Sequence, residues 1–268
     1  MSTQNIYLDG IGVLGPGLVG WGQTCEVLAG RQAYVSAPIS LPAVEMLPPA
    51  ERRRVGVPVK LSMAIGLEAA RHAGADLAHL ATVFSSTEAD CDNSHAILET
   101  LASSDRALSP TRFHNSVHNA PSGYWGIATG SMEPSTSLSA FDATFAAGLL
   151  EAATQALSSG KPCLLLAYDT VFAEPLSRLR PLPSAMGVAL LLSPCHTPAS
   201  LAQLKLTLSD AQATRMPAPA LEQLRQDIPV ARCLPLLALL AQGRSGSVVV
   251  DFLDSLRLGI EVCGGTQE

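Results

Sequence analysis

Ser137-Leu-Ser-Ala-Phe-Asp142-Ala-Thr-Phe-Ala-Ala-Gly148 is the stretch on which the fold turns. It reads as a buried strand, a sharp turn, and then a helix rich in small residues, suited to close packing. The start of such a helix carries the positive end of the macrodipole and unpaired backbone N–H groups. A cysteine placed there would be held toward its thiolate, and the same N–H groups would stabilise the oxyanion formed when it attacks. The chain places Asp142 there instead. A carboxylate is comfortable at that end of a helix, yet it is a poor nucleophile toward a thioester. An acid in the first helical turn also has a plain reading, as a complement to the dipole.

Working outward, the elements alternate in an α/β order. Residues 5–9 read as a strand entering a Gly-rich turn at Gly10, Gly12, Gly15 and Gly17, with a helix near 18–29 ending at Gly30. Pro38 to Pro49 is a Pro-rich loop, and Val57 to Ala73 has helical apolar spacing stopped by Gly74. Ala81 to Phe84 is a short buried strand, 94–101 a helix, and 109–119 an irregular polar stretch. A helix over 120–129 and a strand near 135–140 lead to the Asp142 helix, which Gly160 ends. Pro162 to Tyr168 and Gly187 to Leu192 are near-continuous apolar runs suited to central strands, and Ala202 to Leu208 alternates. A helix near 232–242 and a strand over 247–252 close the pattern. No linker or repeat divides it, so a single domain over 1–268 is expected, with 264–268 as a frayed tail.

The 268 residues are 47% hydrophobic and 15% charged, with a net charge of −6. That balance speaks for sheets covered on both faces, a large subunit interface, or both. The acidic charge and the lack of a basic stripe argue against nucleic acid as a partner. The start lacks a basic n-region with a long apolar core, and no apolar stretch is long enough for a membrane span, so a cytoplasmic protein is expected. Six scattered cysteines without a CxxC pair read as reduced thiols.

Three other features invite chemistry. Gly10, Gly12 and Gly15 spell GxGxxG, but Pro16 and Gly17 interrupt the helix start and no acidic residue follows at ribose-binding distance, so tight-turn glycines are the reading and no cofactor is expected. His114 and His118 are spaced by four, yet no third ligand accompanies them and a polar loop is the better reading; no metal is expected. His72 and His79 flank a helix end. No GxSxG elbow occurs.

Order and spacing over residues 5–192 carry a resemblance. Tyr7-Leu-Asp-Gly10-Ile-Gly12-Val-Leu-Gly15, Trp21 and Leu28-Ala-Gly30-Arg31 resemble the opening of β-ketoacyl synthases, a strand, an I-T-G-x-G turn and a helix ending in L-x-x-G-x-S. Ser109-Pro110 and Asn119-Ala-Pro-Ser-Gly123 resemble the family's S-P and N-x-x-A-G segments. Ser137 to Thr144 falls on the V-S-T-A-C-A-T-G nucleophile segment, Leu164 to Asp169 on V-M-I-A-G-G, and Ser184 to Leu192 on E-G-A-G-V-L-V-L. The resemblance is expected to bring Asp142 to the family's cysteine, and the H-G-T-G-T and N-S-F-G-F-G-G motifs that carry its two histidines do not occur in the sequence. Condensation needs that nucleophile and those histidines to polarise the carbonyl and stabilise the enolate.

The resemblance is to the short, nucleophile-less relatives known as chain length factors, as in aryl-polyene and type II polyketide systems. It implies a thiolase-like layered α/β fold with a complete N-terminal half and a truncated C-terminal half. It implies a non-catalytic subunit that heterodimerises with a full-length β-ketoacyl-ACP synthase, with acyl carrier protein involved indirectly. Strand residues Ser135, Thr136, Ser137, Leu138, Ser139 and Ala140 would pair across that interface. Arg112, Phe113, His114, Asn115, Ser116, Val117 and His118 would line the partner's acyl tunnel. Asp142 would accept hydrogen bonds from the N–H groups of a vestigial oxyanion hole. Two alternatives stay open: a malonyl-ACP decarboxylase or acyltransferase using Asp142 with His114 or His118, and a homodimeric acyl- or carrier-protein-binding protein.

Overall fold

The computed structural model describes residues 5–264. Strands β1 (Asn5–Gly15), β2 (Leu18–Val19), β3 (Ala81–Ser86), β4 (Ser135–Leu138), β5 (Cys163–Asp169), β6 (Met186–Ser193), β7 (Ala202–Ser209), β8 (Gly246–Asp251) and β9 (Arg257–Gly264) form one mixed sheet. Its order is β4-β3-β5-β6-β1-β7-β9-β8, with β2 paired to β1. The helices are α1 (Gly20–Leu28), α2 (Pro49–Arg52), α3 (Val57–His72), α4 (Cys91–Ala102), α5 (Pro110–His114), α6 (Ala120–Thr129), α7 (Thr144–Ser159), α8 (Leu176–Leu179), α9 (Pro219–Asp227) and α10 (Leu234–Ala241). Among the described residues no helix is long and apolar enough to cross a membrane.

The apolar runs at β5 and β6 arise because both faces of the sheet are covered, so neither face tolerates polar alternation. Cys163, Leu165 and Ala167 of β5 and Val188, Leu190 and Leu192 of β6 point into one core, shared with Phe145, Leu149 and Ala152 of α7. Leu164, Leu166, Ala189 and Leu191 point into the other, shared with Leu61, Ile65 and Ala69 of α3 and Trp125 of α6. Helix, sheet and helix thus form the layered α/β body that the resemblance implies. Each large side chain so enclosed contributes on the order of 1.5–3 kcal/mol.

Several local expectations need correction. Gly10 and Gly12 are not in a turn; they lie inside β1. A Cβ on Gly10 would stand 2.1 Å from the Ala69 carbonyl oxygen, and one on Gly12 2.0 Å from that of Ile65. The glycines let α3 lie directly on the β1 backbone; the turn follows at Pro16 and Gly17, between β1 and β2. The stretch 109–119 is not wholly irregular, since Ser109 caps the short helix α5. Helix α9 was not anticipated. Gly264 is not frayed but pairs with Ala202 as the last residue of β9; 265–268 lie outside the described residues.

Among the described residues after 200 there is no second layer of strands. β7, β9 and β8 extend the same sheet past β1, and α9 and α10 pack into the α7-side core. At the other end β4, read as buried, is the sheet's outer strand. Among the described residues it pairs in parallel with β3 only, and its residues are half-buried to exposed. It also stops at Leu138, so Ser139 and Ala140 belong to the turn that follows.

Candidate functional site

Helix α7 begins at Thr144, two residues later than expected, and Asp142 lies in a preceding 3-10 turn, Phe141–Ala143. Laid residue by residue on Ser137–Thr144, the family's cysteine falls on Phe141, so Asp142 is the residue that follows it and not, as expected, the one in its place. Its carboxylate does not accept from a ring of backbone N–H groups. Two arginines hold it: Arg180 at Oδ1, and Arg232 Nη2 at Oδ2, 3.2 Å away. Arg232 Nη1 also donates to the Asp142 carbonyl at 2.6 Å. Each carboxylate oxygen thus accepts one charge-assisted hydrogen bond from a guanidinium.

The clamp continues into the C-terminal segment. Arg232 approaches Asp251 at 4.0 Å, Arg225 Nη1 donates to Asp251 at 2.9 Å, and Arg225 pairs with Glu222 at 2.8 Å. The Arg225 hydrogen bonds hold the Glu222 carboxyl down at about 2, against an ordinary 4.5. A row of alternating charges therefore runs from α9 through the end of β8 to the turn before α7.

Asp169, at the end of β5, fixes the same region from beneath. It is buried, accepting the Thr87 N–H at 3.2 Å and the Val230 N–H at 2.7 Å. Burial pushes its carboxyl upward, against those hydrogen bonds. Thr87 in turn donates through its hydroxyl to the Phe141 carbonyl at 3.1 Å, and Val230 lies in the 3-10 segment Pro229–Cys233 that delivers Arg232. One buried acid thus joins the loop after β3, the 3-10 turn and the arginine clamp.

The 112–118 segment divides in two. Asn115 is buried, donating to the Arg54 carbonyl at 2.8 Å and accepting from the Tyr124 hydroxyl at 3.0 Å. His118 Nε2 lies 3.1 Å from Ser86 Oγ, and Ser116 donates to the Phe113 carbonyl at 2.8 Å. These three residues hold the loop. Arg112, Phe113, His114 and Val117 are exposed, Phe113 at 68% and Val117 at 51%. Phe113, His114, Val117 and Ile127 line an apolar groove of about 650 Å³ between α5 and α6. Ser122 of α6 meets Ser135 of β4, Oγ to Oγ at 2.9 Å, so groove and sheet edge adjoin.

Arg180, Arg232 and Asp169 escaped the sequence reading. Arg180 is 38 residues and Arg232 90 residues from Asp142, beyond any local pattern. One signal was present: Arg232 sits inside the apolar stretch from Pro229 to Ala241, where a charge needs a partner. Among the described residues no cluster of three or more His, Cys, Asp or Glu could hold a metal ion.

The sequence model of the β-ketoacyl synthase N-terminal domain matches residues 26–249. No curated protein matches the chain. Among solved structures, the ketosynthase (ApeO) in complex with its chain length factor (ApeC) from Xenorhabdus doucetiae is similar, with 21% identity and a TM-score of 0.73. That match covers 96% of this chain and 99% of the matched one. The ishigamide ketosynthase/chain length factor is similar with 14% identity and a TM-score of 0.69, again over 96% and 99%. A full ketosynthase, from module 1 of the bacillaene synthase of Bacillus amyloliquefaciens FZB42, is matched at 14% identity and a TM-score of 0.58 over 84% of this chain and only 50% of its own. At these identities the likeness is one of fold, and it fits an abbreviated second half. The chain belongs to the β-ketoacyl synthase family and has its thiolase-like layered fold.

Proposed function

We propose that the chain is a non-catalytic chain length factor, the partner of a full-length β-ketoacyl-ACP synthase in polyene or polyketide assembly. The observation that carries this reading is the turn before α7, where the nucleophile segment offers no thiol but Phe141 and Asp142, the latter locked between Arg180 and Arg232. Neither an aromatic ring nor a clamped carboxylate can supply the sulfur of an acyl thioester. The outer strand β4, unpaired on one side, supplies the place where a partner strand continues the sheet. Phe113 and Val117, displayed beside it, are the side chains that would close the partner's acyl tunnel, with Asn115 and His118 holding them in position. Acyl carrier protein would act on the partner, not here.

The enzyme alternative loses support because neither His114 nor His118 is among the partners of Asp142: His118 bonds to Ser86, and His114 stands edge-on to Tyr124. The test is co-expression with a ketosynthase from the same gene neighbourhood, followed by mass determination in solution. A 1:1 complex is expected, and a well-behaved chain that ignores the ketosynthase, or pairs only with itself, would overturn the reading. With Asp142→Asn, product formed per assembled complex is expected to be unchanged; its loss would favour the decarboxylase.

A further inference from the structure

A cleft of about 620 Å³ opens beside the ends of β1 and β5, with Pro16 and Thr170 among its lining residues. The carboxyl ends of sheet strands are where open α/β sheets hold ligands, and a cavity of this size suits a small molecule. It shares no lining residue with the α5–α6 groove. Its outer wall is a strap, residues 33–44, that runs without helix or strand. Tyr34 ties one end through its hydroxyl to the Pro16 carbonyl at 2.9 Å. Beyond the other end, Arg52 Nη2 donates to the Glu45 and Leu47 carbonyls at 2.8 and 3.1 Å. Among the described residues the backbone from Val35 to Pro42 makes no backbone–backbone hydrogen bond. Its middle is held by Ile39 and Leu41, half-buried against the α3-side core. A strap fastened in this way can part without breaking a strand ladder.

The walls are largely apolar, and the charges on them have one sign. Asp90 and Asp92 line the cleft, while no lysine, arginine or histidine does. Among the described residues neither acid is ion-paired. Asp90 is held in place. Its Oδ1 accepts the Asn93 N–H at 3.0 Å as the cap of α4, and Oδ2 lies on Gly56, where a Cβ would stand 2.1 Å away. Burial pushes the Asp90 carboxyl up, against the Asn93 hydrogen bond. The cap does not by itself require a charge, since Asn serves as well as Asp at that position. A carboxylate partly withdrawn from water without a counter-ion is costly, and a cation brought into the cleft would offset that cost.

We propose that this cleft binds a small amphiphile with a primary ammonium group, its head at Asp90 and Asp92 and its apolar body beneath Ile39 and Leu41. An ammonium supplies three donors and no acceptor, matching a lining whose charged groups only accept. A carboxylate or phosphate head would meet like charge. The site stands apart from the partner reading above and does not depend on it.

Calorimetric titration of the full chain with octylammonium, octanol and octanoate tests the head group at constant chain length. Octylammonium is expected to bind, octanol more weakly, and octanoate not at all. Asp90→Asn keeps the α4 cap and removes the charge. Its unfolding midpoint is expected at or above that of wild type, while octylammonium affinity falls about tenfold. Val171→Trp, at a lining residue that is 44% exposed, is expected to block octanol and octylammonium alike. Octanoate bound as tightly as octylammonium, or an unchanged octylammonium affinity in Asp90→Asn, would overturn the proposal. So would no binding of octylammonium at all. Each of these leaves the ketosynthase reading standing, because co-expression and mass determination decide that reading separately.

Discussion

The two ends of the sheet are finished differently. At the β8 end the chain covers its own edge: Thr214 donates its N–H to the Val249 carbonyl at 2.8 Å and accepts the Val249 N–H on its hydroxyl at 2.9 Å. Arg225 then ties α9 to Asp251 at the end of β8. At the β4 end the outer strand is four residues long, polar, and paired on one side only, with Ile127 and Met132 exposed around it. An open strand edge beside apolar side chains is a hazard in a chain that stands alone. The bare edge is where the proposed partner strand would continue the sheet.

The comparison breaks most directly at the open end. Ile127→Asp with Met132→Asp changes two side chains that are 53% and 95% exposed. Stability of the chain alone is expected to shift by no more than about 0.5 kcal/mol, while affinity for the ketosynthase falls by about 100-fold, or roughly 3 kcal/mol. Titration of labelled chain with ketosynthase measures the second, and unaltered binding would show that the open edge is not the interface. At the closed end, Thr214→Val removes the acceptor of the Val249 N–H. The cost is expected at about 1–3 kcal/mol in a urea titration, with new self-association once that edge is bare.

Asp142→Cys tests the turn that lies between these regions. Both arginines lose their partner, but with the Asp142 side chain 39% exposed and each arginine 20%, the cost is expected near 1 kcal/mol, well short of a fully buried pair. No condensation activity should appear, since the family's two histidine motifs are missing. Measurable carbon–carbon bond formation by that variant with malonyl- and acyl-carrier protein would refute the non-catalytic reading.

The smallest effect is one of pH. Glu222 titrates at about 2 in the fold and near 4.5 when free. A carboxylate depressed by folding contributes stability above its unfolded value, and that contribution is lost as pH falls through the interval toward the folded one. Unfolding midpoints should therefore drop between those values, and Glu222→Gln should flatten that part of the profile. Asp169 runs the other way: burial raises its carboxyl, so stability falls as pH rises through its raised value, and Asp169→Asn should remove that component.

Much of the scaffold could be read from local pattern. The apolar runs that became β5 and β6, the α3 periodicity stopped at Gly74, and the α7 helix stopped at Gly160 all depend on neighbours within a few residues. Gly10 and Gly12 misled because a glycine in a turn and a glycine under a packed helix look alike until the helix is placed. Loop 112–118 was located by order, but its split into holding and displayed residues depended on Arg54, Tyr124 and Ser86, all distant in sequence or on other elements.

By itself the sequence determined the α/β order, the family, and the presence of an acid in the turn before the small-residue helix, because these follow from periodicity, spacing and residue identity along one stretch of chain. The tertiary structure decided what that acid does. Arg180 and Arg232 reach Asp142 across 38 and 90 residues, through the placement of whole elements. Such pairings are set by packing and by the need to neutralise half-buried charge, and no local pattern encodes them.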